Sequence, residues 1–102
     1  MVLLSVGFRT QSSKRDEVLS AVDEAVARMR HQPGCARGRV FADTNDPDAF
    51  TLISEWDSID DADGFFASRE FQVLRGLRML LRDEPVVVVD DVKARFTRLV
   101  RE

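Results

Sequence analysis

Residues 59 to 70, IDDADGFFASRE, hold carboxylates at intervals that could chelate a hard cation. An EF-hand calcium loop takes acids at positions 1, 3 and 5, Gly at 6 and a bidentate Glu at 12. Counted from Ile59, the stretch supplies Asp61, Asp63, Gly64 and Glu70 at the last four of these places, but isoleucine at the first. Ile59 offers no oxygen where the ion's entry carboxylate should stand. Upstream, Glu55-Trp56-Asp57 reads as the end of a strand, whereas an EF-hand needs a helix there. Ser58 followed by Asp60 and Asp61 is instead a helix start, with a capping hydroxyl and acids favoured by the helix dipole. No metal is expected.

The other reactive side chains are dispersed. His31, the sole histidine, falls at the end of a helical stretch, where the helix C-terminal dipole favours a solvent-facing imidazole. Cys35 is the only cysteine, which excludes an internal disulfide and any multi-cysteine metal site. With no local His or electropositive setting it is not expected to be a nucleophile. Arg75 could hold a phenolate or carboxylate, although a basic residue on such a helix is usually solvated. Ser5 and Ser54 can donate hydrogen bonds but are poor bases.

The composition narrows the partners. Fifteen Lys+Arg against eighteen Asp+Glu give a formal charge of −3 over 102 residues. That leaves no basic footprint for nucleic acid or anionic lipid. The apolar fraction of 44% is globular, and the length suits one domain with one core. The opening MVLLSVGFRT lacks a basic lead and a long apolar run, so a leader peptide is not expected. No run approaches the roughly 18 apolar residues of a membrane span. A cytoplasmic protein, bound to neither nucleic acid nor membrane, is the expectation.

These residues are positioned by a simple alternation of elements. Residues 2–9 read as a strand. Residues 14–31 read as a helix, with Ser13 and Asp16 resembling a capping box. Its apolar positions Val18, Val22, Ala25, Val26 and Met29 form one stripe on the 3.6-residue period, and Gln32-Pro33-Gly34 stops it. Strands at 35–43 and 49–56 follow, joined by the turn residues TNDPD. Helical sequence then runs from 58 to 83, broken near Ala67-Ser68, with Phe71, Leu74, Leu77 and Leu81 as the buried stripe of its second part. Pro85 opens a fourth strand, PVVVVDDVKARF. Residues 1–102 form a single domain, with 1–96 as the core and 97–102 as a short tail.

The order β-α-β-β-α-β is the split βαβ, ferredoxin-like arrangement of the α+β class: a four-stranded antiparallel sheet with its helices on one face. A sheet with one wet face should alternate apolar and polar residues. Val86 to Val89 are apolar in succession, and Leu3-Leu4 and Leu52-Ile53 also break the alternation. Both faces therefore seek burial, and a second copy of the chain would cover the one left open. A core strand with a few exposed valines is the plainer alternative.

Four short motifs in order make the chain resemble the antibiotic-biosynthesis monooxygenase family of the dimeric α+β barrel superfamily. They are Pro33-Gly34 after the first helix, Asp46-Pro47 in the hairpin, Glu55-Trp56 at the end of the third strand, and Ser68-Arg69-Glu70-Phe71 in the second helical region. The resemblance covers essentially the whole chain. It implies a homodimer whose sheets pack across a two-fold axis, and in each subunit a pocket between sheet and helices. Members include quinol and anthrone oxygenases, haem-degrading enzymes, isomerases and proteins without known activity.

The haem-degrading branch would need an Asn near Phe8, a Trp at the place of Phe65 and a ligating His at the place of Arg75. None is present, and the His that many other members carry at the place of Phe65 is also absent, so a haem enzyme is the least favoured reading. The resemblance then implies an oxygenase using neither metal nor flavin, whose small aromatic quinol or polyketide-type substrate passes electrons to oxygen itself. The protein would supply a dry pocket, a base and donors for the developing oxyanion. Trp56, Phe65, Phe66, Phe71 and Leu74 are the candidate lining, although a tryptophan so placed is more often plain core, a reading compatible with this one. Glu55 and Arg75 are the candidate catalytic groups. Glu55 precedes Trp56 on a strand, so it points to the opposite face, where an ion pair with Arg37 or Arg39 is the structural alternative. A non-catalytic, dimeric ligand-binding or accessory domain of the same fold is the competing function.

Overall fold

The computed structural model describes residues 1–91. The first strand, β1, is Val2–Arg9, and the first helix, α1, is Arg15–Met29. Strands β2 (Cys35–Ala42) and β3 (Ala49–Trp56) form the hairpin. Two short helices follow, α2 (Ile59–Phe66) and α3 (Arg69–Gly76), and then β4 (Val86–Asp91). The sheet is antiparallel throughout, in the order β2-β3-β1-β4. This is the ferredoxin-like α+β architecture expected from the element order. The extension of the fourth strand to Phe96 and the tail at 97–102 lie outside the described residues.

One face of the sheet carries the core. Val2, Leu4, Val6 and Phe8 of β1 are buried, as are Phe50, Leu52, Ser54 and Trp56 of β3. Against them lie Val18, Val22, Ala25, Val26 and Met29 of α1, the full stripe that the helical period defines. Burying each valine or methionine of this stripe contributes about 1.5–3 kcal/mol, which outweighs the weak intrinsic helix preference of the valines. In β1 and β3 burial alternates strictly, so Leu3 and Ile53 sit half-buried on the open face. β4 differs: Val86, Val87, Val88 and Val89 are between 40% and 64% exposed, although the strand is fully paired with β1.

Two local expectations are corrected. Ser13 does not cap α1; Ser12–Lys14 form a 3-10 turn that feeds the helix, and no side chain bonds its first amides. Ser12 instead donates to Asp48 Oδ2 at 2.6 Å. The second correction concerns residues 58–83, where helix ends at Gly76 and gives way to a 3-10 turn at Leu77–Leu80. Leu81 is buried, but as an extended residue bridged to Thr10. The break at Ala67-Ser68 is as expected: Ser68 Oγ accepts from the Phe71 amide at 3.3 Å and donates to Phe65 O at 2.5 Å.

Two of the acids in residues 59–70 are committed to structure. Ser58 Oγ accepts from the Asp61 amide at 3.2 Å and donates to Asp61 Oδ2 at 2.9 Å, which is helix capping. Glu70 accepts from Gln32 Nε2 at 3.1 Å, tying α3 to the turn after α1. Among the described residues no group of three His, Cys, Asp or Glu is placed to hold a metal ion, and no helix is long and apolar enough to cross a membrane.

Candidate functional site

Phe71, Leu74, Arg75 and Arg78 recur at i, i+3, i+4 and i+7, so α3 and the turn after it present them on one side. Leu74 is buried and Phe71 half-buried, while Arg75 and Arg78 are exposed. Opposite stands the start of β4, where Pro85 sets the strand's entry and Val87 pairs with buried Val6, which puts it on the helix-bearing face. Between them is a cavity of about 280 Å³ lined by Phe71, Leu74, Arg75, Arg78, Glu84, Pro85 and Val87. That is near the lower end of small-molecule sites, about 300 Å³. Its floor is apolar. Its rim carries two guanidinium groups and one carboxylate, with Arg78 Nη1 3.8 Å from Glu84 Oε1.

Behind the cavity the aromatic rings form a continuous block. Phe71 meets Phe66 edge-on at 4.8 Å between centroids and Phe65 at 5.6 Å. Phe65 stacks on Trp56 at 5.3 Å. The Trp56 indole N–H donates to Ser54 Oγ at 2.9 Å, within the sheet's buried face. Of the five candidate lining residues, Phe71 and Leu74 face the cavity. Phe66 packs against Phe71, and Phe65 and Trp56, 1% and 0% exposed, are core beneath it. Such ring pairs add about 0.5–1.5 kcal/mol each beyond area burial and hold Phe71 in place.

The two candidate catalytic groups lie on opposite sides of the sheet. Arg75 is on the cavity's rim. Glu55 pairs with Leu3 and Arg37 in the ladders, on the open face, with Arg37 Nε 3.8 Å from its Oε2. Glu84, Arg78 and Val87 escaped the sequence reading. Arg78 had a signal, seven residues after Phe71 on the same stripe. Val87 had none, because four identical valines carry no phase to say which of them face the helices.

Other hollows are poorer sites. A larger one, about 800 Å³, lies along the outer edge of β2 beside α1. Its Arg30 is already spent on Gly38 O, at 3.0 and 2.8 Å from Nε and Nη2. Cys35 is half-buried, and its thiol pKa is raised chiefly by desolvation, which disfavours the thiolate a nucleophile requires. His31 is exposed.

The comparisons with known proteins agree with this architecture. The family model described as "Antibiotic biosynthesis monooxygenase" matches residues 1–76, a span that contains all four motifs and Arg75. A crystal structure of an antibiotic biosynthesis monooxygenase is 25% identical, covers 92% of this chain and 100% of its own, and superposes with a TM-score of 0.83. Rv0793 from Mycobacterium tuberculosis is 16% identical, with 94% and 98% covered and a TM-score of 0.86. A variant of SnoaB, a cofactor-independent oxygenase from Streptomyces nogalater, is also 16% identical, with 95% and 97% covered and a TM-score of 0.79. At 16% the likeness is one of fold. No curated protein sequence matches the chain. Element order, the sheet with its helices on one face, and the family match over three-quarters of the sequence lead to one placement: the chain belongs to the antibiotic biosynthesis monooxygenase family.

Proposed function

We propose that the protein is a cytoplasmic, homodimeric monooxygenase that oxidises a small aromatic quinol or polyketide-type phenol without metal or flavin. The observation that carries this reading is the cavity beside α3: an apolar floor of Phe71, Leu74, Pro85 and Val87 beneath the guanidinium groups of Arg75 and Arg78. A flat phenol fits against Phe71, and its oxygen meets a cation at the rim. Ionisation of the hydroxyl makes the ring a reductant. Glu84 takes the proton, directly or through water, and Arg75 holds the phenolate. Charge-assisted contacts of this kind are roughly twice as strong as neutral ones. The substrate provides all four electrons that reduce O₂. One oxygen atom ends on the ring carbon as C=O and the other leaves as water, so no outside reductant is consumed. The aromatic block behind Phe71 keeps water from the floor, which strengthens the electrostatic contacts above it.

Glu55 has no part in this step; we assign it to the cross-strand pair with Arg37. The homodimer is supported by the open face, where Leu3, Ile53, Phe41, Val86 and Val88 share one side of the sheet and Phe41 is 49% exposed.

Oxygen consumption with a panel of naphthalene diols and anthrones tests the chemistry. Arg75→Leu should lower kcat/KM at least tenfold while the fold, followed by circular dichroism, is unchanged. Equal turnover in the variant would remove Arg75 from the mechanism, and no uptake with any substrate would remove the activity. The competing reading, a ligand-binding domain without catalysis, is favoured by the exposure of Glu84, whose side chain is 78% accessible and already near Arg78. Saturable quenching of Trp56 fluorescence by one of these phenols, without oxygen uptake, would establish it.

A further inference from the structure

The rim of the cavity beside α3 is short of negative charge. It carries the guanidinium groups of Arg75 and Arg78 against the single carboxylate of Glu84. Among the described residues Arg75 is in no ion pair. Arg78 and Glu84 are only loosely paired: Nη1 stands 3.8 Å from Oε1, and the two side chains are 62% and 78% exposed. A charge-assisted hydrogen bond would close to about 2.7–2.9 Å, and an exposed pair of this kind contributes little to stability. Both rim arginines are therefore open to a ligand. Oxidation of a phenol does not fill the gap. When Glu84 takes the hydroxyl proton, its charge passes to the phenolate that Arg75 holds, and Arg78 is left without a partner.

We infer, resting on the phenol oxidation proposed above, that the substrate is a hydroxylated aromatic acid of one or two rings, whose carboxylate is bound by Arg78. A carboxylate that closes on Arg78 takes the place of Glu84 and frees it to meet the phenol. The charges then balance: two guanidinium groups face one phenolate and one carboxylate, while Glu84 holds the transferred proton. A neutral substituent would leave Arg78 unmet beside an apolar floor, and a doubly charged phosphate would overshoot. Guanidinium is also the group whose planar fork matches a carboxylate bidentately. Arg75 and Arg78 are three residues apart, which roots neighbouring side chains about 5–6 Å from each other, so the oxygen and the carboxylate of one small molecule can engage both. Size sets the upper limit. A cavity of about 280 Å³ is below the usual range for drug-sized ligands, and a larger polycycle would keep most of its surface in water.

Hydroxynaphthoates are phenols but not quinols, so they report binding without turnover. Calorimetric titration of the full chain with a panel of these acids and their methyl esters compares the same rings with and without the charge. The acid of the preferred isomer should bind at least tenfold more tightly than its ester. Arg78→Gln should cut that preference at least fivefold and Arg78→Lys should keep most of it, with circular dichroism to confirm folding. Glu84→Gln should raise the preference, because the competing carboxylate is gone. Asp83→Asn adds the same charge next door, at a side chain that faces Arg9 rather than Arg78, and should raise it less. Equal effects of these two variants would reduce the preference to overall charge and overturn the assignment. Acids that bind no better than their esters in any isomer, or a preference that Arg78→Gln leaves intact, overturn it as well. Oxygen uptake with dihydroxynaphthoates and naphthalene diols tests the oxidation separately. Uptake with the diols but no preference for acids leaves the oxygenase and removes the carboxylate site. A preference carried by Arg78 without any uptake leaves the carboxylate site and removes the oxygenase.

Discussion

Gly34 shows how much a single residue settles in this fold. Its φ of 80° lies in the left-handed region, which glycine enters without the steric cost that a Cβ imposes. It ends the run after α1, and its carbonyl accepts from the Asp57 amide at 2.8 Å, fixing the start of β2 against the exit of β3. A Cβ at this position would also overlap the side chain of Asp61, the residue whose amide Ser58 caps. Gly34→Ala should therefore destabilise by about 1–3 kcal/mol from backbone strain, with the clash at Asp61 in addition. A urea titration that found the parent midpoint would show that the turn relaxes without consequence. The sequence disclosed this glycine because Pro33-Gly34 after a periodic stripe is a stop signal with a mechanism. Trp56 was less legible: residue type foretells burial, but not whether the burial lies in a wall or behind one. Its 0% exposure and its contact with Phe65 are products of packing.

At the scale of elements, what could be read was periodic and what could not was long-range. The α1 stripe and the alternation of β1 and β3 follow from the 3.6- and 2-residue periods. The turn from α3 into β4 does not, since Leu77 and Leu81 fit a helical stripe whether or not the helix continues. Contacts distant in sequence decide it: Leu81 bridges Thr10, and the Arg82 amide donates to Arg9 O at 2.8 Å. Asp48 is the hub of this junction. Its Oδ2 accepts from Ser12 Oγ and from Arg82 Nη2, both at 2.6 Å, and its carbonyl accepts from the Thr10 amide at 2.9 Å. One carboxylate thus joins the end of β1, the β2–β3 turn and the approach to β4. Its side chain is only 11% exposed, while that of Arg82 is 42% exposed, so water can solvate the arginine if the pair is broken. Asp48→Ala should cost about 1.5–3 kcal/mol, the range for hydrogen bonds to charged groups, and Asp48→Asn distinctly less. The two variants should separate in chemical denaturation at unchanged m-value. Equal midpoints for Asp48→Ala and the parent would reduce the junction to a surface contact. Because this junction sets the entry of β4, it also positions Glu84, Pro85 and Val87 at the cavity, a consequence that no local pattern in the sequence contains.

The whole molecule carries a contradiction that a single copy does not resolve. β4 is hydrogen-bonded along its length to β1, yet all four of its valines are at least 40% exposed. A strand at a sheet edge with both faces open gains little from burial and is a template for unwanted pairing. The same valines supply Val87 to the cavity and Val86 and Val88 to the open face, so site and surface depend on one marginal element. If a second copy covers that face, stability must depend on concentration, because association favours the folded state by mass action. Each tenfold dilution then removes about 1.4 kcal/mol per dimer, and for about 200 residues in all this lowers Tm by a few degrees. Melting of the full chain by circular dichroism at total concentrations from about 1 to 100 μM should show Tm rising across the series. A Tm independent of concentration, together with a single-chain sedimentation coefficient, would mean that β4 is held by its own chain alone. The cavity would then have to work with one of its walls open to water, and the dry site that substrate-driven oxygen chemistry requires would be lost.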